Sequence, residues 1–594
     1  MRVASGLLWS VVLAAVAAAC SAGSSSLPSS HGARAGAAGS GGGEGGASGE
    51  GGAGGVPDDA SVDDTSAGGA AGDDASAGGS GGTDPADAGL FGGGWHPPDT
   101  GSHPALVGDG STTVDLGAGV ASGAPSQFGG GADPGAAPTL IYPPDGVIFP
   151  PNLNSLEIHF IPGAGQTLFE IALHAPTKSL SVYTKCTPLN GGCVWTTDAA
   201  FWSQLVPYAR GAAPVTYTVR GVGSSGLVGA STTRTMAFAE QDVNGGIYYW
   251  NTAGVVQRYD FGYPNLPPEN FMTTFTSGAL VCVGCHVVSR DGRRILVGKD
   301  IPAPAPYGVF DVGTRAPLQS GSGPVAGSAN FATFAPDSTQ MITSDGVWLS
   351  WRDLLSGNTL NPTLAPGTQP DWSPDGTSLA YTSPQSPPPF GIPMPGVDSG
   401  SIDVLRYDGT SWSGPSVLVP FTGQNNYYPT YAPTGDWVLF NRSPDNRNSF
   451  ANGSVDQDAG TVPDGELWAV AATGGAPVRL SRATDPGWSS WPKWAPTVHD
   501  AYSGKILWLT FSSARGYGLR LASGTRSQLW MVGFDLTKAA AGQDPSFAAF
   551  WLPFQDMSGG NHIAQWATKV VRAPCTDDAQ CTSNRCVNHE CAPS

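Results

Sequence analysis

Trp372-Ser373-Pro374-Asp375-Gly376, followed by Ser378-Leu379-Ala380-Tyr381, is the stretch that decides the fold. Proline presets the backbone angle of a turn, aspartate hydrogen-bonds back to the main chain, and glycine adopts the positive φ that such a turn needs. The apolar residues after the turn predict a strand. The stretch is therefore expected to form a strand, a tight turn and a second strand.

This unit recurs through residues 239–572. Its other copies are Ser289-Arg290-Asp291-Gly292, Phe334-Ala335-Pro336-Asp337-Ser338, Tyr431-Ala432-Pro433-Thr434-Gly435 and Trp494-Ala495-Pro496. A second type of apolar strand lies between the copies, at residues 402–407, 466–470 and 528–532. Repeats of roughly 40 to 65 residues that consist of strands and turns predict a β-propeller.

The repeated units resemble the PD40 repeats of the TolB-like propeller family. The resemblance implies six blades, of which five are marked by clear copies. Ile247-Tyr248-Tyr249-Trp250 and Ile563-Ala564-Gln565-Trp566 are expected to complete the sixth blade from opposite ends of the repeat region. The resemblance implies a fold more than a function, because propellers carry many activities.

A separate β-domain is expected before the propeller, at residues 138–238. Short segments at residues 156–160, 169–173 and 215–222 alternate between apolar and polar side chains. Several such strands in about 100 residues predict a sandwich of immunoglobulin or fibronectin III character. Cys186 and Cys193 flank a short Pro/Gly loop, so we expect a disulfide across it. The predicted fold class is therefore all-β.

The first 20 residues have the pattern of an export signal. Arg2 precedes an apolar stretch at residues 7–19 that is too short to span a bilayer comfortably. Ala17-Ala18-Ala19-Cys20 resembles a bacterial lipobox, which implies that Cys20 is lipidated; ordinary signal cleavage is the alternative. The expectation is an exported, membrane-anchored lipoprotein that faces the periplasm or the cell surface, with the lipid as its only membrane contact.

Residues 21–137 are predicted to be a disordered tether, because they consist mainly of Gly, Ala, Ser and Asp and offer little apolar surface to bury. Residues 21–100 hold eleven acidic residues against one basic residue, Arg34, within a chain of net charge −19. An acidic chain without clustered Lys and Arg argues against a nucleic-acid partner.

The C-terminal residues 573–594 carry four closely spaced cysteines, Cys575, Cys581, Cys586 and Cys591. So short a segment has no core of its own, which predicts disulfides between them. Four cysteines could also bind zinc, but export favours disulfides. The spacing resembles the Cys-rich repeats of extracellular proteins, including the Dickkopf-like N-terminal type, although the segment is much shorter than that domain.

Cys282-Val283-Gly284-Cys285-His286 matches C-x-x-C-H, the attachment motif of c-type haem. Two thiols at this spacing can form thioethers with the two vinyl groups of one haem, and the adjacent histidine can bind the iron. The motif predicts a covalent haem c held by Cys282, Cys285 and His286. A Cys282–Cys285 disulfide, a free dithiol and a metal site are the alternatives.

A second axial ligand is sought among His and Met residues. Asp556-Met557-Ser558-Gly559-Gly560-Asn561-His562 holds both types just before the last predicted strand. His562 is the preferred iron ligand opposite His286, with Met557 as the next choice. The alternative is that His562 is a turn residue bonded to the backbone.

Two functions follow from the sequence. The first is electron transfer or another redox role through the haem, with an unidentified redox partner. The second is a non-enzymatic scaffold of the cell envelope that binds a protein or a glycan through aromatic residues of the propeller face, such as Trp488, Trp491 and Tyr427-Tyr428; core packing is the alternative role for these side chains. A classical enzyme is not expected, since no G-x-S-x-G elbow occurs in the predicted folded domains and H-E-x-x-H does not occur.

Overall fold

The structure is a computed structural model that describes residues 112–273, 283–299, 305–321, 323–385, 397, 399–444 and 465–593. The side chains of residues 283–285, 299 and 305 are outside this description. The described residues belong to one compact unit. The predicted signal segment with Cys20, the tether up to residue 111 and Cys282 lie outside the described residues.

The N-terminal part consists of two β-sheets, one α-helix and three short 3₁₀ helices. Its elements are β1 (Thr112–Leu116), β2 (Thr139–Tyr142), β3 (Val147–Phe149), β4 (Glu157–Ile161), β5 (Gln166–Ala175), β6 (Lys178–Lys185), β7 (Thr187–Leu189), β8 (Gly192–Thr196), α1 (Ala199–Ala209), β9 (Val215–Gly223), β10 (Val228–Ala230) and β11 (Arg234–Phe238). One sheet has the order β1-β6-β5-β9-β11-β3, with β10 paired to β9, and the other has the order β2-β4-β8-β7. The predicted disulfide loop is closed by a Cys186–Cys193 bond.

The first described strand begins at Thr112, before the predicted boundary at residue 138. Strand β1 pairs in parallel with β6. Behind it, Phe128 is buried and its ring lies 5.4 Å from that of Tyr183. This apolar anchor stands in Gly-rich surroundings, which is why composition alone assigns the segment to the tether.

Helix α1 is the principal element that the strand pattern does not predict. Asp198 caps it by accepting a hydrogen bond from the Phe201 N–H at 2.7 Å. The helix buries Phe201, Trp202 and Leu205 against the sheets. Its aromatic residues and the internal Pro207 are features more typical of strands and loops, so tertiary packing outweighs local propensity here.

Residues 246–567 form six four-stranded sheets within the described part of the chain. Their strands are β12 (Gly246–Asn251), β13 (Val255–Asp260), β14 (Glu269–Met272), β15 (Val283–Val288), β16 (Arg294–Lys299), β17 (Ala305–Asp311), β18 (Gln319–Ser320), β19 (Gly323–Pro324), β20 (Ala326–Ala329), β21 (Phe331–Phe334), β22 (Gln340–Ser344), β23 (Trp348–Asp353), β24 (Thr359–Pro366), β25 (Thr368–Trp372), β26 (Ser378–Pro384), β27 (Gly400–Tyr407), β28 (Trp412–Val419), β29 (Gln424–Tyr431), β30 (Trp437–Pro444), β31 (Glu466–Ala471), β32 (Val478–Arg479), β33 (Ser489–Ala501), β34 (Gly504–Ser513), β35 (Gln528–Asp535), β36 (Phe550–Trp551) and β37 (Asn561–Ala567). The small pair β18-β19 and the short helices α2 (Ser481–Thr484) and α3 (Leu536–Ala540) connect them.

The sheets follow one another around an axis. Strands β15, β21, β25, β29, β33 and β37 contact each other in this order, and β37 contacts β15 again. Strand β37 pairs with β12, so the sheet β14-β13-β12-β37 draws on both ends of the repeat region, with Ile247 opposite Trp566. The arrangement is that of a β-propeller-like fold, in which the six named strands are the innermost ones.

The repeated turns have the geometry that their residues predict. Asp375 accepts hydrogen bonds from the Thr377 N–H at 3.0 Å and the Ser373 hydroxyl at 2.5 Å, and Gly376 has a φ of 77°. Asp291 accepts the corresponding bonds from the Arg293 N–H and the Ser289 hydroxyl. These aspartates hold turns together, as expected.

One apolar core joins the N-terminal sheets to the propeller-like part. Phe149 of β3 and Phe550 of β36 are both fully buried, with ring centroids 4.9 Å apart, and Val147 forms a bridge to Ala548. The buried cluster continues from these residues into both parts. Such a continuous core is typical of parts that move as one body.

The C-terminal segment ends in the short pair β38 (Cys586–Val587) and β39 (Glu590–Cys591). Its four cysteines form two disulfides, Cys575–Cys586 and Cys581–Cys591. Among the helices described, none is both long and apolar enough to cross a membrane.

Candidate ligand site at the propeller axis

One position of the repeat lies at the axis in every sheet. In five sheets it is the fourth residue before the Ser or Ala that opens the turn. In the sixth sheet it is the fourth residue before Ala567, which takes the place of that Ser or Ala. We call this position the mouth position. The six mouth residues are Cys285, Phe331, Gln369, Tyr428, Trp491 and Ile563. All except Cys285, whose side chain is not described, line a cavity of about 60 Å³. That volume holds about four water molecules.

Strained backbone places four of the mouth residues. Gln369, Tyr428, Trp491 and Ile563 have φ values of 53°, 51°, 55° and 55°. Non-glycine residues avoid this left-handed region, at a cost of about 1–2 kcal/mol each, and for a β-branched residue such as Ile563 it is an outlier.

The strain lies at β-bulges in the innermost strands. Tyr428 and Trp491 are each followed by proline, and both dipeptides are skipped in the pairing with the next strand. Proline lacks the N–H that a paired position needs, which is why it is tolerated at a bulge. A bulge redirects side chains and is common next to functional sites.

Three aromatic mouth residues from different sheets form a cluster. The rings of Tyr428 and Trp491 stack at a centroid distance of 4.1 Å, and Phe331 lies 6.0 Å and 5.9 Å from them. Phe331 and Trp491 are only partly buried. Together they form an apolar wall of the cavity.

A charged group lies below the aromatic cluster. Asp371 accepts from Lys493 Nζ at 3.3 Å, from Arg290 Nη2 at 3.4 Å and from the Tyr431 N–H at 2.8 Å. Lys493 itself lines the cavity. Two cations therefore share one carboxylate, which leaves a local positive charge in a protein whose net charge is −19.

His286 borders the same cavity from strand β15. Its side chain is 1% exposed, and Nε2 lies 3.0 Å from the carbonyl oxygen of Tyr248. A carbonyl can only accept, so Nε2 carries the proton in this structure. Binding of haem iron through Nε2 would require the ring to leave this contact.

His562 lies in strand β37, which contacts β15. Its ring packs against Trp250 at 5.3 Å, and neither ring nitrogen has a hydrogen-bond partner among the described residues. Burial lowers the pKa of His562 to about 3, so the ring is neutral. A neutral imidazole with unpartnered nitrogens fits an axial ligand.

Met557 does not join this group. It lines a different cavity, between the N-terminal sheets and the propeller-like part. The structure therefore places His286 at the axial cavity and His562 on the adjoining strand, with Met557 elsewhere. Cys282 is outside the described residues, and of Cys285 only the backbone position in β15 is described.

Sequence reasoning selects Trp491 and Tyr427-Tyr428 but misses the shared position. Tyr427 is fully buried, whereas its neighbour Tyr428 is the mouth residue. Counting back four residues from each turn would have identified Phe331, Gln369 and Ile563 as well. The same count places Cys285 of the C-x-x-C-H motif at the mouth position of its sheet.

Comparisons with known proteins found only distant likeness. No family model matches the chain, and no curated protein matches it. Among solved structures, it is similar to an oligogalacturonate lyase in complex with manganese, with 14% identity and a TM-score of 0.28 over 44% of this chain. The chain spans 64% of that lyase.

Two further solved structures are similarly distant. The β-propeller domain of Cps50 (Swd1) from Myceliophteria thermophila has 12% identity and a TM-score of 0.28, over 46% of this chain and 73% of that one. The tricorn protease has 11% identity and a TM-score of 0.26, over 55% of this chain and 34% of that one. At such TM-scores the likeness assigns no activity, and the propeller-like fold is evident from the chain's own sheets.

Proposed function

We propose that this chain is a binding protein of the cell envelope that holds a protein or glycan ligand at the mouth residues of the propeller axis. The observation that carries the proposal is the left-handed backbone of Gln369, Tyr428, Trp491 and Ile563 at one repeat position. Strain repeated at one position around a cavity is typical of a functional site rather than of packing alone.

The chemistry of the site supports binding rather than catalysis. Phe331 and Trp491 offer partly exposed ring faces, and Lys493 adds a positive charge beside them. A sugar ring or a planar side chain can stack on such a surface, while an oxygen acceptor can reach the lysine. With a volume of about 60 Å³, the cavity admits only a small group of such a ligand, and the rest of the ligand would lie on the partly exposed rings.

An array experiment tests this proposal. Labelled full-length protein is applied to glycan and peptide arrays, and the affinity for the best ligand is compared between the native chain, Trp491→Ala and Trp348→Ala. Trp348 is a matched control because it is 40% exposed on strand β23, away from the axis. We expect Trp491→Ala to weaken binding about 30-fold, as for an aromatic hot spot, and Trp348→Ala to have no effect. Equal affinities for the two variants would overturn the proposal.

A second candidate function is redox activity through a covalent haem c. It is favoured by the unpartnered ring nitrogens of His562 and by the position of Cys285 and His286 on the adjoining innermost strand. Cys282 and Cys285 would hold the haem, and His286 and His562 would be the iron ligands. A haem supplies reversible one-electron chemistry when bound.

The pyridine haemochrome spectrum of protein made with a c-type maturation system tests the haem. A thioether-type α-band that disappears in Cys282→Ala is the expected result for a cytochrome. A flat spectrum from folded protein would exclude the haem and leave the binding function as the only one proposed.

We also propose the types of the two folded parts and their location in the cell. The N-terminal sheets are an immunoglobulin-like sandwich, and the six sheets are the blades of a TolB-like propeller. Lipidation at Cys20 and the tether would hold them at the periplasmic or outer surface of a membrane. Labelling with a fatty-acid analogue that is absent in Cys20→Ala is the expected outcome for this anchor.

A further inference from the structure

We propose a second ligand site, distinct from the axial one, in the cavity between the N-terminal sheets and the last propeller sheet. It would take a small, uncharged molecule that has an apolar body and a hydrogen-bond acceptor oxygen. The cavity measures about 300 Å³ and is lined from both parts, by Tyr142, Leu153 and Glu157 on one side and Tyr517 and Trp551 on the other.

The apolar wall is built around two stacked rings. Tyr517 and Trp551 stack at a centroid distance of 4.4 Å, and the edge of Tyr142 meets Tyr517 at 5.0 Å. Leu153 and Met557 continue the wall. Tyr517 and Trp551 are only 2% and 6% exposed, so their rings bound one side of the cavity without offering an open face, and they favour an apolar group beside them.

The acceptor capacity of Glu157 is already used. Its Oε2 accepts from the Tyr517 hydroxyl at 2.7 Å, Arg520 Nε at 2.7 Å and His159 Nε2 at 2.9 Å. Its Oε1 accepts from Arg520 Nη2 at 2.6 Å and from Thr196. A ligand donor would therefore find little left to bind on this carboxylate.

His159 is fixed behind this carboxylate. Its Nδ1 accepts from the Leu519 N–H at 3.1 Å, so Nε2 carries the proton and donates to Glu157. The ring is fully buried. Contacts from both parts of the molecule thus hold the polar side of the cavity in one arrangement before any ligand arrives.

Arg520 offers hydrogen-bond donors that a ligand can use. Its Nη1 makes no hydrogen bond to the described residues, and its side chain is 28% exposed. The free N–H groups call for an acceptor oxygen. Because Glu157 already balances the guanidinium charge, an uncharged carbonyl suits the site better than an anion does.

The size of the cavity also fits a ring-sized ligand. An apolar cavity of about 150 Å³ is enough to bind benzene. This one has about twice that volume, with one polar corner and one apolar wall. An apolar wall beside polar groups that orient the ligand is a combination found in small-molecule sites.

Methyl NMR of the native full-length protein tests the site. The chain has seven methionines, and Met557 lines the cavity whereas Met341 is buried in another sheet. Protein labelled at the methionine methyls is titrated with acetophenone, ethylbenzene and benzoate, and the Met557 signal is assigned with Met557→Leu.

We expect acetophenone to shift the Met557 signal and leave the Met341 signal in place. Its affinity should exceed that of ethylbenzene about tenfold, for one hydrogen bond, and benzoate should bind no more tightly than acetophenone. An unmoved Met557 signal, equal affinities for acetophenone and ethylbenzene, or tightest binding by benzoate would each overturn the proposal.

A blocking variant adds a second test. Ser155 lines the cavity without belonging to the Glu157 network, so Ser155→Phe should fill the space and weaken acetophenone binding at least tenfold. Ser203→Phe places the same ring on the exposed face of α1 and should bind like the native chain. Native affinity in folded Ser155→Phe would contradict the proposal, and if that variant does not fold, the titration of the native protein decides. Neither result depends on the axial site.

Discussion

At the scale of single residues, the mouth position is notable for its left-handed backbone. Ile563 shows the effect most clearly, because a β-branched residue rarely adopts a φ of 55°. The left-handed backbone carries a different side chain in each of four sheets, namely Gln369, Tyr428, Trp491 and Ile563. The repeat thus conserves a geometry and varies the chemistry that it presents.

The ionisation of Glu157 makes the stability of the folded protein depend on pH. Burial alone would raise the pKa of this carboxyl, but hydrogen bonds from His159, Arg520 and Tyr517 hold the pKa well below its usual range. The ionised form therefore stabilises the folded state above about pH 4.5, and this contribution is lost as the pH falls below that value.

Glu157→Gln should lower the free energy of unfolding by about 3 kcal/mol at pH 7, as expected for breaking a buried pair. The gap to the native protein should narrow between pH 4.5 and pH 3, because the amide does not titrate. Urea unfolding across this range measures it, with the exposed Glu240→Gln as control. A gap that stays constant with pH would contradict the assignment.

His562→Leu should stabilise the haem-free protein. The substitution removes two buried ring nitrogens that have no partner among the described residues, a gain of about 1–2 kcal/mol. His499 is the matched control, because it is equally buried but bonded to Thr497 and to the Gln241 carbonyl, so His499→Leu should destabilise. Chemical denaturation of both variants measures the change in the free energy of unfolding, which should be positive for His562→Leu and negative for His499→Leu. A loss of stability in His562→Leu would contradict the expectation.

At the scale of elements, repetition in the sequence predicts more than local preference does. The Pro-Asp-Gly turns were expected from their residues, and the segments around Tyr248 and Gln565 that were expected to share a sheet lie opposite each other in β12 and β37. Helix α1 was not expected, because Phe201 and Trp202 favour strands when considered alone. Strand β1 was missed because its partner β6 lies far along the chain.

The candidate site was predictable only in part, for a physical reason. Motifs identify residues such as His286 and Trp491 by type, but the left-handed backbone at Gln369 is a property of the bulge and its neighbours. The cavity between the two parts is formed by Tyr142 and Tyr517, which are remote in sequence. No local pattern places such residues together.

Arg515 anchors the segment that leads to the mouth residue Trp491. Burial lowers the pKa of its fully buried guanidinium to about 9. Nη2 donates to the Ala483 carbonyl at 2.7 Å, the Thr484 carbonyl at 3.0 Å and the Ser489 hydroxyl at 2.9 Å. The side chain thus ties helix α2 to the start of β33.

Arg515→Met should cost about 3–4 kcal/mol of stability, because several buried carbonyls lose their donor. It should also weaken ligand binding at the axis through displacement of Trp491. The control is Arg293→Met, whose side chain is 52% exposed and should matter by less than about 1 kcal/mol. Guanidinium unfolding measures both variants, and similar losses would count against the anchoring role.

At the scale of the whole molecule, the shared apolar core joins the N-terminal sheets and the propeller-like part into one body. Phe149 lies where the N-terminal sheets meet the last propeller sheet and has no exposed surface. The joint is also crossed by a hydrogen bond of 2.8 Å from the Glu240 N–H to the Asp500 carbonyl. Both parts are therefore expected to unfold together.

Phe149→Ala should lower the stability of both parts by about 3–5 kcal/mol, the usual cost of truncating a buried phenylalanine. Calorimetry should show one transition that moves to lower temperature as a whole. Val114→Ala, at a residue 49% exposed in β1, serves as control and should leave the transition in place. Two transitions, of which only one moves, would show that the parts are independent.

The pairing of β12 with β37 affects the order in which the chain folds. More than half of the sequence lies between the two strands. Their contact order is therefore high, and such contacts form late because a long loop must close first. The ring cannot close on a nascent chain until residue 567 is available. On the proposed export route, the fold would be completed only after nearly all of the chain has crossed the membrane.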